Sequence, residues 1–223
     1  MIILALETAT EACSAALSID GEVRERFEIS PRGHSQLLLP MMDDLLAEAG
    51  IGLGKVDGLA FGRGPGAFTG VRIGVGIAQG IAFSRDLPVV PVSTLATLAQ
   101  GVKGDRIIAA LDARMGEIYW GAYERSDQGL VEERGKECVC APNKVPRVDG
   151  EGWIGAGPGW NAFSETLKSH YNYNVTHCLG SELPHASAVA KLAEGAFLRK
   201  ETLSADKALP VYLRDEVTWK KIR

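Results

Sequence analysis

Residues 2–6, Ile2-Ile3-Leu4-Ala5-Leu6, are apolar without interruption, which predicts a strand buried on both faces. A polar turn from Glu7 to Glu11 leads into a second strand over 12–19. Asp20-Gly21 then signals a hairpin, and 22–29 alternates, with Val23, Phe27 and Ile29 as apolar members. His34-Ser35 opens a helix that runs to about residue 49 and stops at Gly50. Pro40 inside it predicts a tight first turn before the proline. A strand over 56–62, a glycine-rich segment, a helix over 71–83, a strand over 88–92 and a helix over 93–101 complete the first half. The order is β-β-β-α-β-α-β-α.

The second half repeats this order more weakly. Strands are expected over 106–111 and 117–123 around a turn at 112–116, then over 131–138 and 151–156. Helices are expected over 160–170 and 186–200. Lys103-Gly104-Asp105 is a polar break between the halves. The pattern predicts two related lobes, residues 1–104 and 105–223.

The glycines punctuate this pattern most densely. Gly62, Gly64, Gly66 and Gly70 lie between a strand and a helix, a setting that suggests phosphate binding at a helix N-terminus. The detailed fingerprints are absent. A P-loop requires Lys-Ser/Thr after its last glycine, and here Val71-Arg72 follows. Gly74, Gly76 and Gly80 stand inside the predicted helix, each costing about 1 kcal/mol relative to alanine. Close backbone packing offsets such a cost, against either the chain's own sheet or a helix of another protein.

The earlier helix speaks for a second protein. Its apolar positions from Leu37 to Leu46 sweep roughly 200° at 100° per residue, whereas a surface helix needs about 100° toward its core. The surplus predicts a helical protein–protein interface. The expected contact residues are Leu38, Met41, Met42 and Leu45 on the first helix and Val71, Gly74, Val75, Ala78 and Ile81 on the second.

Composition narrows the function classes. The 223 residues are 46% hydrophobic and 23% charged, ordinary for a folded globular chain. Lys and Arg number 24 against 28 Asp and Glu, a net charge of −4, and both halves are acidic. That argues against strong autonomous binding to nucleic acid. The tail beyond Leu213 holds Arg214, Lys220, Lys221 and Arg223 against Asp215 and Glu216, which reads as a solvated end. The N-terminus has no signal-peptide pattern, no run is long enough to span a membrane, and four cysteines match no disulfide framework. A reducing cytoplasm is the expected compartment.

Catalytic constellations are scarce. His34, His170, His177 and His185 have no common zinc spacing, and Ser14 and Ser35 have no evident base. No catalytic residue, metal site or cofactor is expected. Glu7 and Thr8, with the turn around Gly157, are the only candidates to face a phosphate, in a rival reading as an ATPase or kinase-like enzyme using an inter-lobe cleft. Glu7 to Thr10 also makes an ordinary polar turn.

Four segments together resemble a known family. Ile3 to Thr10, Gly62 to Gly80, Asp112-Ala113-Arg114-Met115-Gly116-Glu117-Ile118-Tyr119-Trp120 and Pro210-Val211-Tyr212-Leu213-Arg214 are similar to bacterial TsaB, also called YeaZ, over essentially the whole chain. The resemblance implies an α/β, actin-like fold of the Hsp70/sugar-kinase type, built of two RNase H-like lobes. It implies a place in making N6-threonylcarbamoyladenosine at position 37 of tRNAs that read codons beginning with A. In that scheme the paralogue TsaD transfers the threonylcarbamoyl group and TsaE, an ATPase, completes the set. TsaB docks on TsaD and supports it, forms a homodimer when alone, and reaches tRNA only indirectly. The catalytic paralogue carries a His-x-x-x-His metal pair after the strand that follows the glycine helix. Aligned from Pro91-Val92, Thr94 and Leu98 stand at those positions here, and leucine cannot bind a metal.

Overall fold

The computed structural model describes residues 1–214; the basic residues Lys220, Lys221 and Arg223 of the tail, and Trp219, lie outside the described residues. The first half contains β1 (Ile2–Glu7), β2 (Ala12–Ile19), β3 (Glu22–Ile29), α1 (His34–Glu48), β4 (Gly58–Gly62), α2 (Phe68–Arg85), β5 (Val89–Val92) and α3 (Thr94–Gly101). Its sheet has the order β3-β2-β1-β4-β5, with β1, β2 and β3 antiparallel and β1, β4 and β5 parallel. The second half contains β6 (Arg106–Arg114), β7 (Glu117–Arg125), β8 (Val131–Glu133), β9 (Cys138–Cys140), β10 (Trp153–Ala156), α4 (Pro158–Ala162), α5 (Ser164–Tyr171), β11 (Val175–Leu179) and α6 (Ala186–Leu198). The order β11-β10-β6-β7-β8 repeats the first sheet, with β6 antiparallel to β7 and parallel to β10. This is an α/β, actin-like arrangement of two RNase H-like lobes.

Several boundaries differ from expectation for local reasons. The strand expected over 131–138 is two short strands, β8 and β9, interrupted near Gly135, whose φ of 86° no strand accommodates. The helix expected over 160–170 breaks at Phe163, whose φ of −128° is not helical. Pro40 does not limit α1 to a first turn; it sits on the exposed side, where an unpaired carbonyl reaches water. The strand β11 had no pattern to announce it, since Thr176 and His177 are both exposed.

Strand alternation sorts the first sheet's side chains onto two faces. Leu4, Leu6, Leu17, Leu59 and Phe61 form a core with α1 and α2. Ile3, Ala5, Ala16, Ala60, Val90 and Val92 form another with Ala186, Val189, Ala190 and Ala193 of α6. The second sheet packs Leu95, Leu98 and Ala99 of α3, and Val102 just after it, on one face. Trp120, Trp153, Trp160, Leu167 and Tyr171 fill the other.

The lobe boundary at residue 104 therefore needs correction. The sheets divide there, but the helices cross: α3, from residues 1–104, covers the second sheet, and α6, from residues 105–223, covers the first. Each sheet presents an apolar inner face that its own half leaves bare, and the exchanged helices bury both faces while packing on each other. The small residues of α6 let it lie close to the strands. After α6 the chain stays with the first lobe, where Leu203 bridges Val89 and Ala208 enters the α1–α2 core.

The N-terminus of α6 is pinned to β2 and β3. Ala186 donates its N–H to Ser14 Oγ at 2.9 Å, and Ser187 donates to Glu25 Oε1 at 2.9 Å. His185 Nδ1 lies 2.9 Å from Glu25 Oε2, and its ring stacks on Phe27 with centroids 4.1 Å apart. The bond to Glu25 raises the His185 pKa above its ordinary 6.5, against a smaller opposing pull from burial. A raised histidine contributes stability that is full below the unfolded value and is lost as pH rises through the folded value. His185→Ala should therefore lower thermal stability more at pH 6 than at pH 8.5. The difference should be about 1 kcal/mol or less, because the pair is partly solvated. Equal losses at the two pH values would assign the ring a stacking role alone.

Candidate functional site

The glycine-rich segment wraps the turn that joins β1 to β2. Gly62, Gly66, Gly70 and Gly74 recur every fourth residue, and a Cβ at each would collide with that turn. The clashing atoms are the Glu7 carboxylate for Gly62, the Ala9 carbonyl for Gly66, the Thr8 carbonyl for Gly70 and Thr8 Oγ1 for Gly74. Thr8 Oγ1 donates to the Gly70 carbonyl at 2.8 Å, and Ala67 donates its N–H to the Ala9 carbonyl at 2.7 Å. The glycines cradle the chain's own backbone where a nucleotide-binding loop would cradle phosphate.

Glu7 is buried at the centre of this cradle. Its Oε1 accepts from the Ala9 N–H at 2.7 Å and its Oε2 from the Thr94 hydroxyl at 3.2 Å. Burial pushes the carboxyl up to about 7, against the downward pull of these hydrogen bonds. Thr94 and Leu98 lie on α3, both buried. Leu98 Cδ2 packs where a Cβ of Gly157 would stand, and the Gly157 N–H donates to the Leu179 carbonyl at 3.0 Å. Glu7, Thr8 and Gly157 are thus interior and hydrogen-bonded within the chain; none faces a phosphate as the rival enzyme reading required. Among the described residues no cluster of three His, Cys, Asp or Glu side chains is placed to hold a metal ion.

A cleft of about 1180 Å³ lies between the lobes. Ala9, Gly66, Phe68 and Arg72 line one side, and Leu111, Asp112, Arg114 and Tyr119 line the other. The segment from Val211 to Arg214 also lines it and bridges the lobes. Val211 donates its N–H to the Arg63 carbonyl at 2.8 Å, while Arg214 donates to the Ala113 carbonyl at 3.2 Å and pairs with Glu117.

The expected partner residues require a second correction. Leu38, Met41, Met42, Leu45, Val71, Gly74, Val75 and Ala78 are buried in the lobe's own core, and Ile81 is half-buried against it. The surplus apolar arc of α1 is covered because the helix is wedged between β2 and α2, which bury it from two sides. The outward stripe of α2 is the complementary set: Ile73, Gly76, Gly80 and Phe83, while Ile77, like Ile81, is half-buried against the core. Phe83 is 83% exposed, and a Cβ at Gly76 or Gly80 would meet open space. The signal for it was in the sequence. The repeat 76, 80, 83 runs beside the inward repeat 71, 74, 75, 78, 82, and only contact with the sheet decides which points in. Leu39 is the exposed apolar residue that α1 adds.

Comparisons with known proteins bear on what this surface serves. Residues 27–221 match the family model described as TsaD, tRNA N6-adenosine threonylcarbamoyltransferase. The tRNA threonylcarbamoyladenosine biosynthesis protein TsaB of Escherichia coli K12 is 44% identical, over 100% of this chain and 98% of its own. The protein of the same name from Haemophilus influenzae is also 44% identical, over 100% of this chain and 97% of its own. The solved structure titled YeaZ from Pseudomonas aeruginosa is 47% identical, with a TM-score of 0.89 covering 95% of this chain and 99% of that one.

The buried carboxyl sets a testable pH dependence. A carboxyl raised from 4.5 to about 7 favours the fold while neutral, so stability falls as pH rises through that interval. Glu7→Gln keeps the shape and the bond from the Ala9 N–H to Oε1, and its Nε2 can donate to the Thr94 hydroxyl with that bond reversed, all without the charge. Denaturant unfolding should show it more stable than the parent by about 3 kcal/mol at pH 8.5 and nearly equal at pH 5. A variant no more stable at pH 8.5 would mean that the buried carboxylate is not penalised. In the same assay Gly70→Ala should cost about 1–3 kcal/mol by overpacking against Thr8, despite alanine's better helix propensity.

Proposed function

The chain belongs to the TsaB (YeaZ) family of tRNA threonylcarbamoyladenosine biosynthesis proteins, and we propose on that footing that it is the non-catalytic subunit that binds and supports TsaD. TsaD transfers the threonylcarbamoyl group to N6 of adenosine 37, and this chain docks beside it through α2. TsaE joins through the complex, and the same face pairs two copies when the chain is alone. The cytoplasm is the compartment. Among the described residues no helix is long and apolar enough to cross a membrane.

The observation that carries this reading is the outward stripe of α2. Gly76 and Gly80 cost about 1 kcal/mol each in a helix interior, and nothing among the described residues offsets it, since the space beside them is open. A second helix crossing there would gain close backbone contact and cover Ile73 and Phe83. The match to a TsaD family model supports a partner of the same fold, with an equivalent helix to present. The Glu7 cradle supports a supporting rather than a chemical role, because its polar groups are consumed in holding the fold.

Gly76→Ala and Gly80→Ala should each stabilise the isolated chain by about 1 kcal/mol and yet weaken TsaD binding tenfold or more. Phe83→Asp should abolish co-purification and leave the melting profile of the isolated chain unchanged. Reconstituted tRNA modification should require the parent chain and fail with Phe83→Asp. Undiminished affinity in all three variants would move the interface off α2. Modification at full rate without the chain would remove the supporting role.

A further inference from the structure

The inter-lobe cleft carries exposed aromatic and cationic side chains that neither the core nor the α2 stripe employs. Phe68, 60% exposed, and Tyr212, 48% exposed, stand with ring centroids 6.1 Å apart at the mouth of the cleft. The Arg72 guanidinium lies 3.2 Å from the Phe68 centroid and 5.3 Å from that of Tyr212. Among the described residues Arg72 meets rings rather than a carboxylate, so its donor edges stay available. Across the cleft, Arg114 is 86% exposed at the tip of the β6–β7 hairpin, with one guanidinium nitrogen 3.2 Å from Asp112 Oδ2 and the rest of its donor edge toward solvent. Arg114 and Met115 hold φ values of 63° and 56°, a left-handed conformation that costs a non-glycine residue about 1–2 kcal/mol. Asp112 braces the tip by accepting the Arg114 N–H at 2.7 Å, and Arg214 clamps it through the Ala113 carbonyl.

We propose that this cleft binds an unpaired stretch of RNA, with bases stacking on Phe68 and Tyr212 and backbone phosphates meeting Arg72 and Arg114. Stacking platforms beside arginines recognise single strands without regard to base identity. The cleft, at about 1180 Å³, has room for more than one nucleotide unit. Glu11 and Asp112 also line it, so attraction to phosphate is modest and stacking carries the contact. This deepens the proposed function and rests on it: the RNA is the tRNA brought by assembly with TsaD. It also replaces the expectation that this chain reaches tRNA only indirectly. The platform is separate from the outward tip of the docking helix, since Phe68 and Phe83 are about 22 Å apart along α2.

The test uses the assembled complex and an unmodified anticodon stem–loop. Tyr212→Ala and Arg114→Gly are read for RNA affinity, for its salt dependence and, separately, for TsaD affinity. Arg114→Gly also relieves the left-handed strain, so it should fold at least as stably as the parent. Each variant is expected to weaken RNA binding roughly tenfold with TsaD affinity unchanged. Arg114→Gly should reduce the salt slope by about one. RNA affinity within twofold of the parent in both variants would overturn the proposal. If no complex with TsaD forms, the proposed function itself fails, and the cleft is judged on the isolated chain by amide chemical shifts. There, shifts at Arg114 and Tyr212 with an unpaired oligoribonucleotide alone would uphold it. No shifts, or the same shifts with an RNA duplex or polyglutamate, would sink it.

Discussion

The close approach of the β4–α2 segment to the turn after β1 is the constraint on which the rest depends. Four glycines at a spacing of four let a strand, a loop and a helix pass within backbone contact of Glu7, Thr8 and Ala9. That contact sets the depth of α2 on the sheet and so decides which side of α2 points outward. It also leaves α1 a slot between β2 and α2, which together bury Leu38, Met41, Met42, Leu45 and Leu46. The outward stripe of Gly76, Gly80 and Phe83 is the remainder of this arrangement.

The same contact occupies the polar groups of this turn with bonds inside the chain. A loop that holds phosphate keeps its N–H groups and small side chains free for the ligand. Here the hydroxyl of Thr8 is bound to Gly70, and the carboxyl of Glu7 fills the space that Gly62 leaves and reaches Thr94. A buried carboxyl with a pKa near 7 is an awkward structural element, since ionisation within the core costs free energy. It persists because both oxygens are hydrogen-bonded and because the elements it joins, β1 and α3, belong to different cores.

The exchange of α3 and α6 makes the lobes interdependent. Neither half of the chain covers the inner face of its own sheet, so neither is expected to fold alone. The segment from Val211 to Arg214 adds a bridge over the cleft, from the Arg63 carbonyl to the β6–β7 tip. The residues that stack in the cleft are therefore held by the same strap that joins the lobes, and they adjoin the first turn of the helix proposed to dock.

Much of this architecture was legible in the pattern of residues, because hydrophobic period and turn chemistry are local. The order of elements in the first half, the doubled layout and the family likeness followed from segments read one at a time, whereas β11 and the breaks at Gly135 and Phe163 did not. The partner residues did not follow, because periodicity shows that a helix has an apolar face and is silent on what covers it. Leu45 and Phe83 are equally apolar in the sequence; one is interior and the other exposed only because α1 and α2 pack as they do. The glycines divided the same way. Gly74 answers to Thr8, sixty-six positions earlier in the chain, while Gly76 answers to nothing among the described residues. The crossing of α3 and α6, the interior position of Glu7 and the meeting of Tyr212 with Phe68 are likewise contacts between residues distant in sequence. Only the folded chain brings them together, so only tertiary structure decided them.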